Sequence, residues 1–147
     1  MATQAFIGTS GWNYDSWRGP FYEDLPAKQW LRFCAVKFSA IEFRHASWFD
    51  DEVAACLRNH NIAVCQSDAA DWPMWNAVTT DLVYVRLHGH DVTYASCYSE
   101  SELRAWAQKV RRWMGEGRDV HIYFDNDAYC HAPFNALRLL ALVQESC

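Results

Sequence analysis

The residues that could do chemistry fall at the ends of the predicted strands. Parallel folds of alternating strands and helices place their working side chains at the carboxyl ends of the strands, where the loops converge. Every predicted strand of this sequence ends in polar or aromatic side chains. The candidate site residues among them are Trp12, Glu42, Arg44, His45, Asp68, Arg86, His88, Asp125 and Asn126. This set predicts a polar pocket at one edge of a sheet.

The candidate catalytic residues are Glu42, His45 and His88. Imidazole titrates near neutral pH and a carboxylate can accept a proton, so these side chains could supply general acid and base groups. The reaction could be a hydrolysis or an isomerisation. A single histidine in a strand is also commonly a hydrogen-bonded structural residue, and this interpretation stays open for both histidines.

Arg44 and Arg86 are the candidate ligand anchors. A guanidinium group presents a planar set of donors that matches a carboxylate or a phosphate, so the pair predicts a small anionic or polar ligand. Each arginine could instead be a structural partner of Glu42 or Asp125. Four further residues are expected to line the same pocket: Trp12, Asp68, Asp125 and Asn126.

No metal site or cofactor is assigned. The acidic residues at the strand ends could bind a divalent ion together with a histidine, but they lack the HxH or ExxH spacing of such sites. The sequence also has no GxSxG, Walker or dinucleotide-binding motif. The cofactor therefore stays unknown.

The pattern along the chain predicts an α/β fold. Strands are expected at 5–9, 40–43, 62–66, 82–88 and 120–124, and most are followed by an amphipathic helix. The last helix is expected at 134–143. This alternation predicts a mainly parallel sheet with right-handed crossovers.

The predicted strands also alternate between apolar and polar side chains. The clearest run is LVYVRLH at 82–88, where Arg86 and His88 share one face and the apolar residues share the other. Strands covered by helices on both faces would be apolar almost throughout. The alternation therefore predicts a curved, barrel-like sheet with a polar interior, and a sheet with one solvated face stays the alternative.

Composition limits the function. The chain has 147 residues, 51% of them hydrophobic, which fits a single domain. Thirteen Lys and Arg against eighteen Asp and Glu leave a net charge of -5, so nucleic-acid binding is not expected. Six cysteines without a CxxC pair indicate reduced thiols and a cytoplasmic protein. No apolar run approaches the ~20 residues of a membrane span.

Four segments of the sequence resemble a known family. They are IGTSGWNYDSWRGPFYEDLP, EFRHASWF, YVRLHG and HIYFDNDAYCHAPFNALRLL. In this order they resemble the YecE-like family, the domain of unknown function 72. The resemblance implies a barrel of alternating strands and helices. It implies no reaction, because the family has no established activity.

The resemblance also implies that the central part of the family barrel is missing. Two family segments are fused near 41–43, and about 100 residues are absent relative to a typical barrel. We therefore expect one domain over 1–147, an incomplete TIM-type barrel of about five strand-helix units. Its uncovered surfaces could lead to a homodimer. The alternative to an enzyme is a non-catalytic, degenerate barrel fragment that acts through self-association or a protein partner.

Overall fold

The sheet is parallel and open. The computed structural model describes residues 15–35 and 38–145. Within these ranges four strands form one sheet, and their bounds are β1 Ala40–Glu42, β2 Ala63–Asp68, β3 Leu82–Leu87 and β4 Asp119–Phe124. The strands lie in the order β1-β2-β3-β4, and each neighbouring pair is parallel. The α/β class and the parallel sheet are therefore confirmed.

The described part of the sheet differs from a barrel. The described residues form the four strands that were predicted within them, and the predicted strand at 5–9 lies outside these ranges. The sheet does not close on itself, because β1 and β4 pair on one side only within the described ranges. The four observed strands lie within about two residues of the predicted ones.

Helices connect most of the strands. They are α1 Trp30–Ala35, α2 Asp51–Asn59, α3 Glu100–Gly115 and α4 His131–Gln144, with short 3₁₀ turns at Asp15–Trp17, Ala27–Gln29 and Ala46–Trp48. Helix α4 begins three residues before the predicted position, because Pro133 is tolerated in a first turn. None of the helices in the described ranges has the length and apolar character that crossing a bilayer requires.

Helix α3 covers one face of the sheet. A capping box fixes its start: the Glu102 N–H donates to Ser99 Oγ at 3.3 Å, and the Ser99 N–H donates to Glu102 Oε2 at 2.7 Å. The buried stripe of α3 packs on the apolar face of β3 in the largest core. Its members include Val83, Val85, Leu87, Leu103, Trp106, Val110 and Trp113. The opposite face of β3 is thereby left to its polar residues.

The other two cores are smaller. Ile41 and Phe43 pack with Leu57 of α2, and Tyr22 packs with Trp30 of α1 at a ring-centroid distance of 4.4 Å. β1 is therefore held in place through its apolar side chains, which leaves Glu42 on the opposite face.

Candidate functional site

The register of the sheet brings three strands' polar residues to one face. Glu42 is the partner of Cys65, and Ser67 is the partner of Arg86. Partners in neighbouring parallel strands share a face, and side chains alternate along each strand. Glu42, Ser67 and Arg86 therefore lie on the face opposite α3. Ser67 Oγ donates to Glu42 Oε1 at 3.2 Å.

Arg86 joins two carboxylates from opposite edges of the sheet. Its Nη1 donates to Glu42 Oε2 at 2.7 Å, and its Nε donates to Asp125 Oδ2 at 3.1 Å. The three side chains are 25%, 14% and 28% exposed, respectively. We call Glu42, Arg44, Arg86, His88 and Asp125 the polar-edge cluster. The sequence-predicted residues that the structure brings together are these five.

His88 lies at the centre of the polar-edge cluster. Its side chain has no exposed surface. Nε2 lies 3.6 Å from Glu42 Oε1 and Nδ1 lies 3.5 Å from Asp125 Oδ2. Both distances exceed those of a hydrogen bond, and neither nitrogen has a hydrogen-bond partner among the described residues. A buried imidazole therefore faces a carboxylate at each ring nitrogen.

Arg44 and Trp72 form the outer side of the polar-edge cluster. Arg44 Nε donates to Glu42 Oε1 at 2.8 Å, and the guanidinium lies 4.2 Å from the centre of the Trp72 ring. The Trp72 ring meets the His88 ring edge to face at 5.2 Å, and its Nε1 donates to Ser67 Oγ at 2.9 Å. Arg44 stays 46% exposed, so it is the most accessible cation of the cluster.

A tight turn after β3 returns Tyr94 to His88. The two rings meet edge to face at 5.4 Å. The turn depends on Gly89, whose φ of +104° suits glycine and where a Cβ would lie 2.6 Å from the carbonyl oxygen of Val92. Trp72 and Tyr94 together cover the imidazole.

Electrostatics keep Glu42 ionised. Burial opposes the charge, but the approach of His88 and the contacts with Arg44 and Arg86 outweigh it and hold the pKa of Glu42 at about 2. Glu42 is thus an anion at neutral pH and cannot donate a proton there. Burial also raises the pKa of the neighbouring Cys65 thiol, which stays protonated. Among the described residues, no group of three or more His, Cys, Asp or Glu could hold a metal ion.

His45 takes part in a turn that follows β1. β1 ends at Glu42, and the chain then enters the 3₁₀ turn Ala46–Trp48. The exposed His45 caps this turn, and its Nδ1 accepts from the Ser47 N–H at 3.2 Å. These contacts support the structural interpretation of His45.

Asp68 lies on the opposite face of the sheet from Ser67. Its Oδ1 is 3.0 Å from His90 Nδ1, and the contact raises the pKa of His90. Asp68 lines a cavity of about 150 Å³ against α3. There the Lys109 ammonium sits 4.1 Å from the centre of the Trp106 ring. Asp68 therefore belongs to a separate, small cavity.

The buried Asn126 connects three segments of the chain through hydrogen bonds. Its Nδ2 donates to the Ser96 carbonyl and to Asn135 Oδ1, both at 2.9 Å, and Asn135 Oδ1 also accepts from the Tyr98 N–H at 3.2 Å. Asn126 thus ties the end of β4 to the segment before α3 and to α4. Trp12, the last of the predicted pocket residues, lies outside the described ranges.

Three contributors to the site were missed by sequence reasoning: Ser67, Trp72 and Tyr94. Period-two alternation could have found Ser67, because it lies two residues from Cys65 on the face of Glu42. Trp72 and Tyr94 belong to loops, where no periodic signal indicates which way a side chain points.

Solved structures with the same architecture come from one named family. A crystal structure of a DUF72 family protein from Thermotoga maritima has a TM-score of 0.73 at 27% identity and covers 81% of this chain and 52% of that chain. Two crystal structures of a DUF72 family protein from Enterococcus faecalis have TM-scores of 0.72 and 0.67 at 20% and 22% identity. They cover 82% and 84% of this chain, and 54% and 56% of theirs. The chain thus spans about half the length of these relatives.

The family assignment rests on the sequence as well. No curated protein is detectably similar to the chain. The sequence pattern described as "Protein of unknown function DUF72" matches in two segments, at residues 6–42 and 36–147. Together the two segments cover nearly the whole sequence. The chain belongs to the DUF72 family.

Proposed function

We propose that the polar-edge cluster binds a small anionic or polar ligand and supports acid–base chemistry on it, as in a hydrolase or an isomerase. One observation carries the proposal: the buried imidazole of His88 faces the carboxylates of Glu42 and Asp125, and both of these also accept hydrogen bonds from Arg86. Polar groups with shared partners and little exposure at the carboxyl ends of parallel strands are typical of binding sites.

Arg44 is the ligand anchor in this proposal. Two nitrogens of Arg86 already donate hydrogen bonds to Glu42 and Asp125. Arg44 donates from its Nε to Glu42 and stacks on Trp72, and these contacts orient its planar guanidinium group. The Arg44 side chain nevertheless stays 46% exposed. A preoriented guanidinium recognises carboxylate and phosphate through paired hydrogen bonds.

Asp125 is the proton acceptor in this proposal, and His88 is a positioning residue behind it. Asp125 is 28% exposed and can meet a ligand, whereas the His88 ring has no exposed surface and acts through Asp125 at 3.5 Å. Glu42 stays ionised and orients both arginines. These roles differ from the expectation that Glu42, His45 and His88 are the acid and base groups.

The proposed site belongs to a barrel-derived fold. Solved DUF72 structures match this chain over about half of their own length. The two family segments overlap at 36–42, a range that includes β1, which supports a fusion at that point and the absence of a central part. In this proposal the polar face of the sheet is what is left of a barrel interior.

Isothermal titration of the protein with inorganic phosphate and with malonate tests the anchor. The wild type is expected to bind at least one anion, and Arg44→Gln is expected to weaken that binding at least tenfold, about 1.4 kcal/mol. Arg104→Gln is the matched control, because Arg104 is similarly exposed (53%) and lies on α3. Failure of the wild type to bind either anion, or equal losses in both variants, would contradict the proposal.

A further inference from the structure

A cavity lies between α3 and the carboxyl end of β2, on the face of the sheet away from the polar-edge cluster. Its volume is about 150 Å³, which is enough for a molecule about the size of benzene. Ala105 and Trp106 belong to its apolar wall, and its polar lining consists of Asp68, His90, Glu102 and Lys109. We call it the α3 cavity.

Lys109 supplies an amine to the α3 cavity. Its Nζ donates to Asn76 Oδ1 at 3.3 Å and lies 4.1 Å from the centre of the Trp106 ring. Neither of these partners carries a charge. Burial lowers the pKa of Lys109, and Arg112 adds to this effect while Asp68 opposes it. A larger share of the Lys109 amine is therefore unprotonated at neutral pH than in an exposed lysine.

His90 and Asp68 supply an acid–base pair to the same cavity. His90 Nδ1 lies 3.0 Å from Asp68 Oδ1, so the carboxylate assigns the ring proton to Nδ1 and leaves Nε2 to exchange a proton with a ligand. This hydrogen bond is the main reason why the pKa of His90 is raised. Asp68 is buried, whereas the His90 side chain is 60% exposed. The imidazole can therefore meet a ligand and can both give and take a proton near neutral pH.

The charges around the α3 cavity favour an uncharged ligand over an anion. Asp68 and Glu102 both line the cavity and would repel a negative group. An iminium group on Lys109 carries the same charge as the ammonium group that it replaces, so the Trp106 ring and the two carboxylates stabilise it as well. Aldehydes and ketones are uncharged and form such a group with an amine. The lining therefore suits a small carbonyl compound.

We propose that Lys109 forms an imine with a small, uncharged aldehyde or ketone in the α3 cavity. The unprotonated Nζ adds to the carbonyl carbon, and the proton that the nitrogen then loses moves to the carbonyl oxygen to give a carbinolamine. His90 donates a proton to the new hydroxyl group, the C–O bond breaks, and water leaves. The nitrogen lone pair forms the C=N bond of the iminium ion, and the step needs no oxidant or reductant.

Reductive trapping of the full chain with acetone and sodium cyanoborohydride tests the proposal. The hydride reduces the imine to a stable isopropylamine, which peptide mass spectrometry locates. Lys28 is the internal control, because it lies exposed in the 3₁₀ turn Ala27–Gln29. Lys109 is expected to react about fivefold faster than Lys28 at about pH 7, and the difference is expected to narrow above about pH 10, where both amines lose their protons.

Two variants test the groups around the amine. His90→Gln removes the acid and is expected to slow the labelling of Lys109 roughly threefold without changing that of Lys28. The matched control is His121→Gln, because His121 is an exposed histidine on β4, and this variant is expected to label as the wild type does. Ala105→Phe replaces His90→Gln if circular dichroism shows that the latter is unfolded, because the added ring fills the α3 cavity and excludes acetone.

Two results would overturn the proposal. One is a Lys109 that reacts no faster than Lys28 at about pH 7. The other is a rate at Lys109 that neither His90→Gln nor Ala105→Phe lowers, since the amine would then react without the cavity. The polar-edge cluster takes no part in the labelling, so the result does not depend on whether that cluster binds an anion.

Discussion

Glu42 and Glu100 both have a pKa lowered to about 2, but in different surroundings. Contacts with Arg138 and Arg104 hold the pKa of Glu100 at about 2, and Glu42 reaches about 2 as well, although burial opposes its charge. Glu42 is 14% exposed and Glu100 is 49% exposed. Each carboxylate meets two arginines, Arg44 and Arg86 in one case, Arg104 and Arg138 in the other.

The difference lies in what replaces the ion pair when a partner is lost. Water solvates an exposed arginine at once, so a surface pair adds little to stability. Arg86 is only 25% exposed and keeps its charge in a poorly solvated place, so the loss of a carboxylate partner is costly there. Burial, and not the pKa of the acid, therefore decides which of the two networks stabilises the fold.

The largest expected effect is that of Glu42→Gln. Removing this charge leaves Arg86 with Asp125 alone and is expected to cost about 3 kcal/mol of unfolding free energy. Urea denaturation measures it, and Glu100→Gln is the matched control, for which we expect no resolvable change in midpoint. Equal losses in the two variants would show that burial is not what separates the networks.

The second-largest expected effect is on the pH dependence of the unfolding free energy. The pKa of Glu42 is lowered from 4.5 to about 2 by folding, so the folded state binds its proton less tightly than the unfolded state does. The stabilisation is therefore complete above pH 4.5 and is lost as pH falls towards 2, at about 1.4 kcal/mol per pKa unit. Denaturation at pH values from 6 to 3 should show a shallower acid decline in Glu42→Gln than in the wild type. The same acid decline in stability in both proteins would contradict the assignment of this pH dependence to Glu42.

The smallest effect is that of Arg138→Gln. Its pairs with Glu100 and Glu145 are screened by solvent, so we expect a small change in the urea midpoint at 0.15 M salt and none at 1 M salt. Arg86→Gln is the buried counterpart, and its loss of stability should persist at 1 M salt. A salt-resistant loss in Arg138→Gln would remove the contrast between the two networks.

Much of the polar-edge cluster followed from alternation in the sequence. Because LVYVRLH places Arg86 and His88 on one face, and Glu42 falls between apolar neighbours, a shared polar rim was predictable without coordinates. Asp125 follows the same rule after β4. The open form of the sheet did not follow, because closure depends on the angles between strands and not on the pattern within each one.

Two residues that were predicted at the rim take other positions in the structure. His45 was assigned to the rim, but β1 stops at Glu42 and the chain turns before it reaches His45. Asp68 was assigned there too, although it follows Ser67 directly and alternation alone would send it to the opposite face. Trp72 depends on the path of a loop that no period describes.

Because β1 is short, Glu42 also affects the register in which β1 pairs with β2. β1 has only three residues, so few hydrogen bonds distinguish its observed register with β2 from a register shifted by one residue. A shift by one position would place Ile41 or Phe43 in front of the Arg86 guanidinium in place of Glu42 and would turn a carboxylate towards the helices. The ion pair between Glu42 and Arg86 thus favours one register of the shortest strand over its neighbours.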